Sequence, residues 1–419
     1  MINRSTNLIN RFHKNKYWIY AALIVVAIGV LIYLNYLYAD NYPGGKYFQT
    51  QWIAMRGVLK EGQSPYADQL LYQIQVSAYG RPAMAGEYEF RFMYPYFSLL
   101  FFAPFGLIKD FVIARAFWMT FLELLLIGIY FLSMNLANWK IKLLPGIALF
   151  LISVTFYHNI RAVVDGNLML VVTFFMLASL IAIRDRKDEA AGLLLAVTTL
   201  EIKYIFLGIV LLVIYLLANR RYKVVWYLFG GLVILYGFSF LLLPDWMAGY
   251  IQQLTLSIAH DPLNSFSLVL QNYWGELGVR ISIAITILTA LFILVEWLFI
   301  RRASFKNFLW IFFMTLVISQ WLGLPAEATN FIILYPGLLF SLKLITERWQ
   351  NKGEVIVLII GSSLYLATWI IFFISGDKNK LYIEPGLFFI ILPMVELVLL
   401  YWSRWWVIRG KTVSPGMVN

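Results

Sequence analysis

Charged side chains stand next to long apolar segments at three places where they could do chemistry. Asp40 follows the first apolar segment, and a carboxylate there could take the proton of an attacking hydroxyl group. Lys203 and Arg161 could hold a phosphate group. Simpler interpretations stay open: Asp40 as a solvated helix end, Lys203 as an interfacial lysine or the partner of Glu201, and Arg161 as the i,i+4 partner of Asp165.

Other polar side chains fall between apolar segments on the same predicted side of the molecule. A charge at membrane depth costs about 2.5–3.5 kcal/mol, so such groups usually pair or serve a site. Glu327 belongs to this group and lies in a predicted loop. We predict that a substrate cavity is lined by His158, Asp165, Asn167, His260, Asn264 and Asn330.

The sequence shows no pattern typical of a metal or cofactor site. It has no cysteine, and its three histidines, His13, His158 and His260, lie far apart without metal-ligand spacing. We therefore assign no metal site and expect no cofactor, and the metal requirement is left open.

The elements that must position these residues are membrane helices. Apolar residues make up 61% of the 419 residues and charged residues only 13%, against about 25% in soluble domains. The net charge of +11 comes from short Lys/Arg clusters between apolar segments, which is typical of membrane orientation signals and does not indicate nucleic-acid binding. The composition predicts one integral membrane domain.

We place that domain at residues 17–406, after a basic cytoplasmic N-terminus (1–16) and before a cytoplasmic tail (407–419). Two large extracytoplasmic loops are expected at 39–110 and 244–278. With both termini cytoplasmic, most of the 33 Lys and Arg residues fall on the inner side of a bacterial plasma (inner) membrane.

About twelve spans are predicted, and the count depends on one short segment. Residues 94–109 are too short for a comfortable crossing, so we expect a helix lying in the outer interface. Two further short segments should form a hairpin that turns near Lys203. The predicted spans are 17–38, 111–136, 143–158, 166–183, 189–202, 204–218, 224–243, 279–299, 307–323, 329–345, 354–374 and 386–402.

Several short motifs, in this order, carry a resemblance to a known family. They are the segments 43–48 (PGGKYF), 62–68 (GQSPYAD), 79–83 (YGRPA), 92–96 (FMYPY), 165–167 (DGN) and 201–203 (EIK). Over about residues 35–345 the chain resembles glycosyltransferase family 87, of the C-type (GT-C) superfamily, whose members include mycobacterial mannosyltransferases that use polyprenyl-phosphate-mannose.

The resemblance implies an all-α, GT-C-like bundle of about twelve transmembrane helices, with juxtamembrane helices in the first extracytoplasmic loop. It implies an inverting transferase that moves a mannose-like hexose or a pentose from a polyprenyl-phosphate donor to a lipid, glycan or protein acceptor. Asp40 would be the base in that loop, and Lys203 and Arg161 would bind the donor phosphate. The oligomeric state is left open.

One position departs from the family pattern. Lys46 stands after the Gly-Gly pair, where the resemblance leads us to expect an acidic residue. Asp40 could supply the base from slightly upstream, or Glu87 or Glu89 could do so. The chain could instead be an inactive relative that binds lipid or acts as a scaffold subunit. A transporter is disfavoured because no inverted repeat is visible.

Overall fold

The computed structural model describes residues 2–261, 264–300, 303–322, 327–375 and 386–408, and these form helices without a β-strand. The predicted cytoplasmic tail beyond residue 408 lies outside them. The helices are α1 (Ile2–Asn41), α2 (Lys46–Glu61), α3 (Asp68–Tyr79), α4 (Leu99–Gly106), α5 (Phe111–Leu136), α6 (Leu143–Val154), α7 (Tyr157–Asp165), α8 (Met169–Arg184), α9 (Asp188–Val197), α10 (Ile202–Ala218), α11 (Tyr222–Leu242), α12 (Trp246–His260), α13 (Phe266–Leu298), α14 (Phe305–Ser319), α15 (Tyr335–Ser375) and α16 (Leu387–Ile408).

The architecture is that of an all-α polytopic membrane protein. In the described residues, eight helical segments are long and apolar enough to cross a bilayer, or nine if the bent pair α6 and α7 is one span. Two further apolar helices, α8 and α14, have only 16 and 15 residues. The predicted count of twelve is therefore not confirmed.

The first loop contains three helices, α2 to α4. The segment that we expected to lie in the interface forms a short apolar helix, Tyr96–Gly106, below the length of a crossing. α2 begins directly after Gly44 and Gly45, which have φ of +145° and +78°. A side chain on Gly44 would meet the Arg115 guanidinium at 2.7 Å. The Gly-Gly pair thus lets the chain pass Arg115 and start α2 at Lys46.

The predicted hairpin near Lys203 is present between α9 and α10. The segment Asp188–Ala218 would measure about 47 Å as one straight helix. Its backbone breaks at Glu201 (φ −126°, ψ 57°), and Arg221, just beyond α10, pairs with Asp188 at the start of α9. Both ends of the segment therefore lie together, and Glu201 and Lys203 lie at the tip.

Two other nominally continuous helices also double back. In α13, Gly275 leaves helical geometry (φ 58°, ψ −137°), and a side chain on Gly278 would meet the Leu270 carbonyl oxygen at 2.1 Å. In α15, a side chain on Gly353 would lie 2.7 Å from the backbone of Thr346. Residues seven or eight apart would be more than 10 Å apart in a straight helix. α15 therefore contains the two spans predicted separately.

Candidate functional site

A small polar pocket forms where the first loop, the hairpin tip and the segment before α15 meet. That last segment, Ala328–Leu334, is a fully buried 3-10 helix. The pocket volume is about 10 Å³, which is room for about one water molecule. The pocket is lined by Tyr47, Tyr88, Met93 and Tyr94 of the first loop, Glu201, Lys203 and Tyr204 of the hairpin, and Glu327 and Asn330.

A buried ion pair joins the first loop to the far end of the sequence at this pocket. Lys46 Nζ lies 2.6 Å from Glu327 Oε2, and both side chains are almost fully buried. The ammonium group also lies 4.9 Å from the centre of the Tyr88 ring. The other carboxylate oxygen, Glu327 Oε1, is buried and has no hydrogen-bond partner among the described residues. One oxygen of this carboxylate is thus held by Lys46, and the other could accept a hydrogen bond from a bound molecule.

Amide side chains connect the hairpin tip to the rest of the site. Asn167 Nδ2 donates to Asn330 Oδ1 at 2.7 Å and to Thr329 Oγ1 at 3.0 Å. Asn330 Nδ2 in turn donates to the Tyr204 hydroxyl at 2.8 Å. The Lys203 ammonium lies 4.6 Å from the centre of the Tyr204 ring. This chain of contacts fixes the tip where Lys203 enters the pocket.

Lys203 also lines a second, apolar groove on the other side of the tip. The groove measures about 250 Å³ and lies between α10 and α14. Its other lining residues are Ile202, Phe206, Leu207, Ser319 and Leu322. Lys203 therefore stands at the boundary between an apolar groove and a polar pocket.

The first-loop tyrosines bring neutral hydroxyl groups to the pocket. Burial, and secondly a nearby carboxylate, raises the pKa of Tyr47, Tyr88 and Tyr94 well above its ordinary value. The carboxylate is Glu327 for Tyr47 and Tyr88 and Glu201 for Tyr94, whose hydroxyl group bonds to it. The Tyr88 hydroxyl is buried without a hydrogen-bond partner among the described residues. Within the described residues, the pocket thus has one donor and one acceptor without a hydrogen-bond partner.

Comparison with known families now identifies the chain. The model of glycosyltransferase family 87 matches residues 92–319, which is more than half of the sequence. The chain belongs to glycosyltransferase family 87. It is accordingly a multi-pass membrane glycosyltransferase. No curated protein and no solved structure matches it significantly. The matched region includes Glu201 and Lys203, whereas Lys46 and Glu327 lie outside it.

The carboxylates proposed for the base of this family 87 protein lie apart from the pocket lining. Asp40 is exposed in the last turn of α1. Glu87 is held by both terminal nitrogens of Arg81, at 2.8 and 2.7 Å. That hydrogen bonding lowers the pKa of Glu87 to about 2.

Glu89 lies in the same loop, next in sequence to Tyr88 of the pocket lining. Its carboxylate lies 2.5 Å from Arg91 Nε and 3.4 Å from His260 Nδ1. His260, at the end of α12, is exposed, and Asn264, in the second loop, is partly buried. Neither contributes to the pocket lining.

Of the other predicted residues, Lys203 and Asn330 line the pocket, and Asn167 and His158 stand behind it. His158 is buried and its Nδ1 lies 2.9 Å from the Ala328 carbonyl oxygen. Arg161 and Asp165 form the i,i+4 ion pair at 3.1 Å that was one of two open interpretations.

Lys46 and Glu327 were not predicted as site residues. In the sequence, Lys46 stands out only because it occupies a position where an acidic residue is expected, and Glu327 only as a loop carboxylate near Asn330. The sequence feature that could have pointed to this site is the lysine directly after the Gly-Gly pair, in a loop that is expected to carry an acidic residue. In the part of the chain that the structure describes, no three His, Asp or Glu side chains are arranged to hold a metal ion.

Proposed function

We propose that this membrane glycosyltransferase moves a sugar from a polyprenyl-phosphate donor to a lipid, glycan or protein acceptor on the extracytoplasmic face of the bacterial plasma membrane. Lys203 would bind the donor phosphate. Transfer would be inverting, by direct attack of the acceptor hydroxyl on the anomeric carbon.

The position of Lys203 carries this proposal. A polyprenyl-phosphate sugar has an apolar tail, a charged phosphate and a polar sugar in that order. Along the hairpin tip, an apolar groove, the Lys203 ammonium and a polar pocket follow in the same order. An ammonium group at the junction can bind the phosphate in the ground state and stabilise the charge that it gains on leaving.

The test is transfer by the full-length protein in nanodiscs. Polyprenyl phosphates carrying mannose, other hexoses or pentoses are supplied with a membrane lipid extract as the acceptor source, and release of polyprenyl phosphate is followed by mass spectrometry. Lys203→Met should lower kcat/KM about ten- to a hundredfold, because a hydrogen bond to a charged group contributes about 1.5–3 kcal/mol.

Lys60→Met is the matched control, since Lys60 is exposed in the last turn of α2, away from both cavities. It should keep the wild-type rate. Absence of turnover with every donor would contradict the proposal.

A second candidate is a non-catalytic subunit that binds a lipid-linked sugar. The observation that favours it is the nearly filled pocket, in which a lysine stands where the family resemblance leads us to expect an acid. Such a protein would retain the donor lipid through purification and release no polyprenyl phosphate from it.

A further inference from the structure

We propose that Glu327 is the catalytic base of this enzyme and that Lys46 is its positioning residue. The inference rests on the proposed transferase function and names the group that takes the acceptor proton. It differs from the sequence-based assignment to Asp40, Glu87 or Glu89.

Only two carboxylates line the pocket in the described part of the chain, Glu201 and Glu327. Glu201 already bonds to the Tyr94 hydroxyl and faces the Lys203 ammonium. Glu327 uses one oxygen for Lys46, and its Oε1 is buried without a hydrogen-bond partner among the residues that the structure describes. A base must have a free lone pair within hydrogen-bond reach of the proton it removes. Glu327 Oε1 provides the free lone pair, and because Glu327 lines the pocket, an acceptor hydroxyl bound there would lie within hydrogen-bond reach.

Lys46 explains why the first loop can lack the expected acid. It is the first residue of α2, and the glycines before it are packed against Arg115. From this fixed start its side chain reaches Glu327, 281 residues away in the sequence. The pocket therefore receives its carboxylate from Glu327, which precedes α15, and the first loop contributes the lysine that binds it.

The transfer step balances with these groups. The acceptor oxygen forms a bond to the anomeric carbon while Glu327 Oε1 takes its proton. The bond between the anomeric carbon and the phosphate oxygen breaks, and its electron pair leaves with polyprenyl phosphate beside Lys203. Glu327 ends protonated and returns the proton to water after the products leave. The hydroxyl of Tyr88, which lines the pocket and has no hydrogen-bond partner in the described part of the chain, would orient the sugar or the acceptor.

The experiment compares Glu327→Gln, Asp40→Asn and the exposed control Glu61→Gln in the nanodisc assay. Glu327→Gln should lower kcat at least about a hundredfold, the lower bound for general base catalysis. Binding of the polyprenyl-phosphate donor, measured by native mass spectrometry, should stay within about threefold of wild type. Glu61→Gln should keep the wild-type rate.

Further variants distinguish a catalytic role of the Lys46–Glu327 pair from a purely structural one. Lys46→Met should lower kcat while donor binding stays within about threefold of wild type, whereas Lys46→Arg, which keeps a cation beside the carboxylate, should retain most of the rate. Lys46→Met/Glu327→Gln removes both buried charges together and should give folded protein that binds donor without turnover.

Turnover near the wild-type rate in Glu327→Gln or in the double variant overturns the assignment of the base, and loss in Asp40→Asn alone transfers it to Asp40. A wild-type kcat in Lys46→Met overturns the role of the lysine. An inactive wild-type protein overturns the proposed function itself.

Discussion

Lys46 and Glu327 are buried as a pair of opposite charges, so each depends on the other. Removing one partner of a buried ion pair leaves an uncompensated charge and costs about 3–5 kcal/mol, whereas removing both can be nearly neutral. Lys46→Met should therefore lower the unfolding temperature more than Lys46→Met/Glu327→Gln does. Thermal unfolding in detergent, followed by tryptophan fluorescence, measures the difference.

Equal destabilisation in the single and double variants would show that the pair contributes little to folding. Arg81→Met provides the comparison, because its ion pair with Glu87 is partly exposed. Solvent-exposed pairs of this kind contribute little to stability, so the unfolding temperature should change little.

Asp261, after α12, gives the fold a pH dependence. Burial raises the pKa of its carboxyl group above the ordinary value of 3.8, although hydrogen bonds from Ser257 and the Glu89 amide oppose the shift. A raised pKa stabilises the fold below the ordinary pKa, and this stabilisation is lost as pH rises through the folded value. From pH 4 to pH 7 the unfolding temperature of wild type should fall relative to Asp261→Asn. Parallel curves would contradict this.

Local spacing was enough to foresee some residue contacts and not others. Arg161 and Asp165 are four residues apart, so their ion pair could be anticipated from helix geometry. Lys46 and Glu327 are 281 residues apart and meet only because several helices bring them together. No local pattern encodes such a contact.

At the scale of helices, the hairpin of α9 and α10 could be predicted because basic residues flank both its ends. The clusters around Arg184 and Arg221 must lie on the same side, so the chain between them has to return. The structure meets this condition through the break at Glu201. The total number of spans was harder to predict, since helices of 15 or 16 residues are only about 24 Å long and the hydrocarbon core of a bilayer is about 30 Å thick.

Gly166 controls how closely the end of α7 approaches α2. Its φ is +76°, and a side chain there would lie 2.5 Å from Phe48 Cβ. Gly166→Ala should therefore destabilise the protein by about 1–3 kcal/mol and also lower activity, because it displaces the start of α2 that carries Lys46. Thermal unfolding and the transfer assay measure the two effects.

Gly62→Ala is the matched comparison for Gly166→Ala. Gly62 also has a positive φ, +62°, but a side chain there would meet no atom within 4 Å. The Gly62→Ala variant therefore measures the cost of placing an alanine at positive φ without any steric contact. A loss as large in Gly62→Ala would show that crowding at Phe48 is unimportant.

For the molecule as a whole, substrate entry requires the first loop to move. The cover segment, residues 88–94, contributes Tyr88, Met93 and Tyr94 to a pocket that has room for about one water. It is joined to α12 where Glu89 lies 3.4 Å from His260. In Glu89→Cys/His260→Cys, a short reducible thiol cross-linker should abolish transfer, and reduction should restore it.

The natural absence of cysteine makes this cross-linking specific. Gln49→Cys/Ser77→Cys is the matched control, because partly exposed Gln49 and exposed Ser77 join α2 to α3 within the first loop, at 2.9 Å. Its cross-linked form should remain active. Full activity with the cover segment fixed to α12 would show that substrates enter by another route.

Composition and motif order were sufficient for the membrane class and the family, because a chain with 61% apolar residues has few other folded states. They did not locate the pocket. Its lining comes from three distant parts of the chain, and its closure depends on how loop tyrosines pack, which hydropathy does not report.

The groove beside Lys203 opens among apolar side chains of α10 and α14, so a donor that reaches it would arrive by lateral diffusion within the leaflet. What governs occupancy is then the mole fraction of donor among the surrounding lipids, and dilution of the aqueous phase has no effect. Half-saturation would scale with the lipid-to-protein ratio of the nanodisc. Spent carrier would compete with fresh carrier for the same lateral route.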